Sequence, residues 1–188
     1  MNFDKISKFL NRILYPNVSA ERVEKDYSDP INVNTKLCSA CKGKCCKRCG
    51  CHFSPEDFKE ISFEFLKTEI EKGYISIDYF TSSFTHMNSG AYILRVRNQD
   101  SPIVDAIVLE MKPCILLTEK GCKLKYEERP SGGKLLIPKI EKIGLWKWER
   151  TCYSKYKISD CSREWMPYQE ILKSLADYFR DKDFPCVL

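Results

Sequence analysis

Cysteines are the residues of this chain best suited to chemistry, and six of its 11 cysteines lie between Cys38 and Cys51. Their thiolates bind soft and borderline metal ions such as zinc and iron. In a secreted protein the same density would instead predict a disulfide framework. The segment 38–51 therefore predicts either a metal site or a set of disulfides.

Three features favour the metal site. The cysteine count is odd, and residues 1–15 mix charged and apolar residues instead of forming the apolar block of an export signal. Adjacent Cys45 and Cys46 cannot bridge each other without strain, because a disulfide needs converging Cβ vectors. We therefore expect a cytoplasmic protein whose thiols are reduced and bind metal.

The spacing within the segment is typical of chelation. Cys38-x2-Cys41 is the pair found in zinc ribbons and fingers, where a tight turn aims two sulfurs at one point. Gly43 then supplies a flexible turn in which a positive φ is accessible. Cys45 and Cys46 are adjacent, so in an extended backbone their side chains point in opposite directions and serve different ions or different edges of one cluster.

A second cysteine pair, Cys114 and Cys122, flanks a predicted turn at 119–121. Two buried core thiols are the alternative, because reduced cysteine is a common core residue. We favour the ligand interpretation, since the first cluster needs partners from elsewhere in the fold. His52 is either a nitrogen ligand or a solvent-facing loop residue. The predicted ligands of zinc or iron, an iron–sulfur cluster included, are Cys38, Cys41, Cys45, Cys46, Cys51, Cys114 and Cys122.

Apolar periodicity predicts the elements that position these cysteines. An amphipathic helix is expected at residues 3–14, and a second helix is expected from the N-cap Ser54 to the stop at Gly73. A C-terminal helix is expected at about 167–180. Alternation predicts strands at 75–79 and 92–96, and residues 102–111 predict a third strand paired to the second through a turn at 98–101.

These elements predict one α+β domain over residues 1–188, with a short antiparallel sheet, flanking helices and a cysteine-rich metal loop at 38–52. The chain of 188 residues has a net charge of +5 and 43% apolar residues, which excludes a disordered protein. Its apolar runs are shorter than the about 18 residues of a membrane span. Trp146 to Arg150 interleave aromatic and basic residues, which is the weak basis for a nucleic-acid-binding zinc module, ranked last.

The order of these motifs resembles the YkgJ-like, CxxCxxCC family of bacterial and archaeal zinc- or iron-chelating proteins. The similarity runs from Cys38-x2-Cys41-x3-Cys45-Cys46, through Ser54-Pro-Glu-Asp57 and Cys114-Ile-Leu-Leu, to Gly121-Cys122 and Tyr126-x2-Arg129-Pro130. The resemblance implies metal chelation and leaves the reaction unassigned. It also leaves room for a protein partner.

Two departures from the family pattern matter. The cysteine spacing here has one residue more than CxxCxxCC, and Gly133 stands where members often carry a cysteine in Arg-Pro-x-x-Cys-Arg. Either Cys49, Cys51, Cys152 or Cys161 replaces that ligand, or one site is incomplete, whereas Cys186 near the C-terminus is left out of the set.

An enzyme is the alternative to a metal-binding protein without catalysis. The number of thiols exceeds what one structural zinc uses, and the flagellin lysine methylases share the cysteine pattern. This leaves a cluster-dependent redox enzyme or a protein lysine N-methyltransferase-like enzyme open, with no catalytic residue assigned.

Overall fold

The computed structural model describes residues 43, 46–80, 90–106, 112–119, 121–143 and 147–183, with the backbone alone for 137–143, 147–154 and 183. The helix expected at 3–14 lies outside the described residues, as does the metal loop before residue 46 except for Gly43. Within the described residues the fold is α+β, as the sequence predicts, but the central sheet is mixed rather than antiparallel.

The helices are α1 (Phe63–Glu71), α2 (Ser131–Lys134), α3 (Ile158–Trp165) and α4 (Gln169–Asp183). The strands are β1 (Ile75–Phe80), β2 (Ala91–Val96), β3 (Val104–Ala106), β4 (Leu117–Thr118), β5 (Gly121–Cys122), β6 (Leu136–Ile143) and β7 (Lys147–Ser154). Short 3-10 helices cover Pro55–Asp57, Tyr126–Glu128 and Met166–Tyr168. Helix α4 and the 3-10 turn before it lie close to the expected 167–180.

The helix after the cysteines begins later than expected. Ser54 caps only the 3-10 turn, and the backbone is extended at Phe58, whose ring packs 5.3 Å from that of Phe53. Helix α1 then starts at Phe63 with Ser62 as its N-cap. Gly73 ends this segment with φ +88°, as the sequence predicts. The aromatic contact of Phe58 thus overrides a good local helix start.

The central sheet has the strand order β2-β1-β3. Strands β1 and β2 are antiparallel from Ile75↔Val96 to Phe80↔Ala91, whereas β3 pairs with β1 in parallel. The prediction that the third strand pairs with the second is therefore wrong. The outer edge of β2 is already occupied by residues 51–53, so the third strand adds to the opposite edge of the sheet.

Helices cover this sheet and fix the chain that leaves the cysteine segment. Helix α4 contacts α1 and the three sheet strands, and α3 contacts β2. The carbonyl of Phe53 accepts a hydrogen bond from Trp165 Nε1 at 2.8 Å. Ser54 Oγ donates to Glu164 Oε2 at 2.9 Å. Helix α3 therefore holds the two residues that follow Cys51 and His52.

The remaining strands form two hairpins. Strand β4 pairs with β5, and β6 pairs with β7 from Leu136↔Ser154 to Ile143↔Lys147. The second hairpin places the backbone of Cys152 opposite Pro138. Helix α2 leads directly into β6, each residue of which pairs with one of β7 across the hairpin.

No helix among the described residues combines the length and the apolar character needed to cross a bilayer.

Candidate metal centre

Of the seven predicted ligands, four fall on described residues: Cys46, Cys51, Cys114 and Cys122. The other three lie outside the described residues: Cys38, Cys41 and Cys45. The turn predicted at Gly43 is confirmed, since its φ is +69°.

The edge of β2 and its continuation bring two cysteine segments together. The amide of Phe53 donates to Leu94 O and that of Val96 donates to Cys51 O, both at 2.9 Å. Farther along the same backbone, Ile115 N donates to Arg97 O at 3.0 Å. An isolated bridge joins Asn98 to Cys114. Residues 51–53 and 113–115 are thus consecutive additions to one strand edge.

Two further contacts add Cys46 and Cys122 to this arrangement. The amide of Cys114 donates to the carbonyl of Cys46 at 2.6 Å. The β4–β5 hairpin pairs Leu117 with Cys122, and Leu117 N donates back to Cys114 O at 3.0 Å. The two-cysteine hairpin predicted from the sequence is therefore present and stands beside Cys46.

The thiols of this region act on one another electrostatically. The pKa of Cys51 is raised far above its ordinary value, first by burial and then by the negative charges of Cys114, Cys122 and Cys49. Burial also raises the pKa of Cys114, with Cys122 and Cys49 adding to it, while the Leu116 backbone and Arg95 oppose the rise. A bound cation would reverse this repulsion, because it stabilises several neighbouring thiolates at once.

Among the described residues taken alone, no three Cys, His, Asp or Glu side chains form a group able to hold a metal ion. Cys46, Cys51, Cys114 and Cys122 are thus brought into one region without completing a ligand set within the described residues. Any complete set needs donors from other parts of the chain.

Position 133 lies directly against Cys51. A Cβ built on Gly133 would be 3.0 Å from Cys51 Sγ, which is too close for an unchanged neighbour. The thiol of Cys51 therefore occupies the space into which a side chain at 133 would project. At the adjacent Gly132, a Cβ would be 2.7 Å from the carbonyl oxygen of His52, so that position requires glycine for close backbone approach.

The other candidates for the replacement ligand differ in placement. Cys49 is exposed, and its charge acts on Cys51 and Cys114. Cys161 is fully buried on α3, where its thiol donates to Phe53 O at 3.4 Å. Cys152 has only its backbone described. Cys51 is thus the one of these cysteines that the structure places beside Gly133.

Asp57 joins two segments of the site, a role that the sequence pattern did not predict. Its carboxylate accepts from Ser54 N at 2.8 Å, from Ser131 N at 2.8 Å and from Ser131 Oγ at 2.9 Å. The amide of Gly132 donates to His52 O at 3.0 Å. Asp57 therefore ties the segment before α2 to the segment that leaves the cysteines. The Ser-Pro-Glu-Asp motif predicts capping of a helix, which is only part of what Asp57 does.

A second unrecognised group is the buried charge of Arg95. Its Nε donates to Asp78 Oδ2, and its Nη1 donates to Asn98 Oδ1 at 2.7 Å. Asn98 Oδ1 also accepts from Gly50 N at 2.9 Å, inside the cysteine segment. Opposite charges on the same face of neighbouring strands were the sequence signal for this contact.

His52 is a neutral imidazole near neutral pH. Burial, followed by the positive charge of Arg95, lowers the pKa of His52 to about 4. Its backbone pairs with that of Arg95 across the edge of β2. A neutral imidazole is the protonation state that a metal ligand requires, so the prediction of His52 as a nitrogen ligand is compatible with its lowered pKa.

No protein-family model, curated protein or solved structure matches this chain. The resemblance to the YkgJ-like family therefore stays a prediction carried by the residues quoted for it.

Asp57→Asn should weaken the clamp on Ser131. Asparagine offers one acceptor oxygen in place of two, so donors that the carboxylate satisfies lose a partner, and we expect the free energy of unfolding to fall by about 1–3 kcal/mol. Chemical denaturation measures this loss. The control is Glu56→Gln, which makes the same charge change at an exposed neighbour and should cost less than about 0.5 kcal/mol. Equal losses in the two variants would contradict the role of Asp57.

His52 should make the metal-free protein lose stability as the pH falls. Its pKa is about 4 in the folded chain and 6.5 at its ordinary value, so between these values the unfolded chain binds the proton and the folded chain does not. Stability from this group is complete above pH 6.5 and is lost towards pH 4. His52→Gln should show a shallower decline of unfolding free energy over this range. Parallel pH profiles for the two proteins would contradict the prediction.

Proposed function

We propose that this protein binds zinc or iron through cysteine thiolates contributed by distant parts of the chain. The observation that carries the proposal is the backbone pairing that brings distant cysteines into one region: the amide of Cys114 donates to the carbonyl of Cys46 at 2.6 Å, and Leu117 pairs with Cys122. In addition, the charges of Cys114 and Cys122 raise the pKa of Cys51, although Cys51 is distant from both in sequence. Burying several thiols together is unfavourable once they ionise, and a bound cation removes that penalty. Metal binding accounts for their convergence better than a purely apolar core does.

The chemistry of the donor set fits zinc or iron. Thiolates are soft ligands, and Cys-rich tetrahedral sites select zinc or iron–sulfur clusters over hard cations such as magnesium. The described part contributes Cys46, Cys51, Cys114 and Cys122 to the proposed set. The Cys38-x2-Cys41 pair and Cys45 would supply the donors that the described residues lack. When bound, the metal would supply structural cross-linking of these segments or, as an iron–sulfur cluster, electron transfer.

We further propose that Cys51 is the ligand that replaces the family cysteine missing at position 133. The built Cβ of Gly133 lies 3.0 Å from Cys51 Sγ, so a thiol from either position would occupy nearly the same space. On this proposal the chain keeps the thiol that the YkgJ-like resemblance implies, but supplies it from position 51. The same distance favours Cys51 over Cys161, whose thiol is bonded to the Phe53 carbonyl.

The proposed metal–thiolate site requires a reducing compartment. Cys51, Cys114 and Cys122 are thiols rather than half-cystines. A metal-thiolate site needs reduced cysteines, and the cytosol keeps them so. We therefore propose a cytoplasmic, metal-binding protein, with a protein partner and any catalysis left to experiment.

Protein purified both aerobically and anaerobically should carry stoichiometric zinc or iron. Elemental analysis measures the metal, and visible absorption separates a coloured iron–sulfur cluster from colourless zinc. Cys51→Ser and Cys114→Ser should each reduce the metal content by more than half, because a tetrahedral site loses affinity steeply with three ligands. Cys186→Ser is the matched control and should retain the full content. Metal-free, well-folded protein from both preparations would refute the proposal.

Moving the thiol from position 51 to position 133 should restore binding. We expect Cys51→Ala to lose metal and the double variant Cys51→Ala/Gly133→Cys to regain most of it, since removal of Cys51 Sγ opens the space that the new side chain needs. Metal content per chain is the measurement. Cys51→Ala/Lys134→Cys, which moves the thiol to the next residue of α2, should not regain it. Equal recovery in both double variants would contradict the assignment of Cys51.

A further inference from the structure

We propose that Asn98, held in place by the buried guanidinium of Arg95, is a positioning residue that sets the backbone carrying Cys49 and Cys51. The expected effect on metal affinity rests on the proposed metal-binding function, whereas the position of the backbone at Cys49 and Cys51 does not depend on any metal. The group formed by Asp78, Arg95, Asn98 and the Gly50 amide is called the Arg95 network below.

The network begins at the buried ion pair between Asp78 and Arg95. Asp78 is fully buried and Arg95 is 5% exposed, so the ion pair between them is desolvated. A buried charge is tolerated only with its partner and hydrogen bonds in place. Ser76 Oγ donates to Asp78 Oδ1 at 2.9 Å, which orients the carboxylate from its other side. The guanidinium is therefore held rigidly in the sheet.

The opposite end of the guanidinium faces the cysteines. Arg95 Nη1 donates to Asn98 Oδ1 at 2.7 Å, and the same oxygen accepts from Gly50 N at 2.9 Å. Asn98 is itself 5% exposed. One side-chain oxygen thus joins the buried cation to the amide that lies between Cys49 and Cys51.

The backbone of Gly50 packs closely against the end of β2. A Cβ at this position would lie 1.9 Å from Val96 O, so the backbone of Gly50 runs directly against the end of β2. The Gly50 amide is buried between Val96 and Asn98, and it would lose its acceptor if Asn98 moved. An unpaired buried amide is costly, which makes Asn98 the residue that determines how this backbone sits.

The same backbone position determines where two thiols point. Cys49 and Cys51 are the immediate neighbours of Gly50, and the charge of Cys49 acts on both Cys51 and Cys114. Removal of a group that orients a metal ligand without itself binding the metal typically changes metal affinity about 10–100-fold. Ion pairs in a sheet also occur for stability alone, so the experiment must separate positioning from stability.

The test compares Asn98→Ala with Ser76→Ala, which removes a hydrogen bond at the far end of the same network. Zn²⁺ affinity is measured by competition with a chromophoric chelator, and Co²⁺ substitution reports the ligand geometry by its visible spectrum. We expect Asn98→Ala to weaken Zn²⁺ binding about 10–100-fold and to alter the Co²⁺ spectrum. Ser76→Ala acts on Asn98 only through Asp78 and Arg95, so it should change both far less than Asn98→Ala does. Asn98→Asp, which keeps an acceptor for both donors, should recover most of the affinity lost in Asn98→Ala.

Amide hydrogen exchange of the metal-free protein tests the positioning without any metal. The Gly50 amide of the wild-type protein should be protected as strongly as the amides of β2, and residues 47–53 should exchange faster in Asn98→Ala than in Ser76→Ala. An unprotected Gly50 amide in the wild-type protein would overturn the proposal even if no variant folds. Equal exchange and equal Zn²⁺ affinity in the two variants would also overturn it. If the wild-type protein takes up neither zinc nor iron, the proposed function fails while the exchange data still decide the role of Asn98.

Discussion

The pairing of cysteine-bearing segments along one edge of β2 is the constraint on which the rest of this structure depends. Residues 51–53 bond to Leu94 and Val96, and residues 113–115 bond to Arg97 and to Gln99 farther along. Backbone hydrogen bonds of this kind fix both register and side-chain direction. Segments far apart in sequence are therefore neighbours because they share a strand, and helix α3 and Asp57 hold the segment 51–53 against it.

The burial and the neighbouring charges of these cysteines affect how readily their thiols ionise. Thiols buried near one another resist ionisation, and the raised pKa values of Cys51 and Cys114 express this resistance. The fold also supplies a buried guanidinium whose charge opposes the rise at Cys114. This arrangement, with Cys114 buried and Cys46, Cys51 and Cys122 half-buried, fits the proposal that thiolates from these segments share a metal ion.

Features that depend on neighbouring residues in the sequence could be predicted. The Cys114–Cys122 hairpin followed from its turn, the last helix from apolar periodicity, and the end of α1 from Gly73. Features that depend on distant contacts could not be predicted. Strand β3 pairs with β1 because another segment occupies β2, and α1 starts late because Phe58 packs against Phe53.

The candidate site likewise has features that the sequence predicts and features that depend on distant contacts. Residue type and spacing predict the cysteines as metal ligands, but the charges of Asp78 and Arg95 become a signal only once the register of β1 and β2 is known. The proximity of Gly133 to Cys51 likewise depends on how α2 sits against the cysteine segment. Both contacts are tertiary, and only coordinates reveal which side chains meet.

The segment 51–53 also has a consequence for solubility. A strand edge with unpaired N–H and C=O groups is a template for another chain, and proteins cover such edges to avoid aggregation. By bonding to Leu94 and Val96, this segment shields the outer edge of β2. Detachment of residues 51–53 from the sheet would expose the unpaired backbone groups of this edge. The segment that carries Cys51 therefore also protects the protein against self-association.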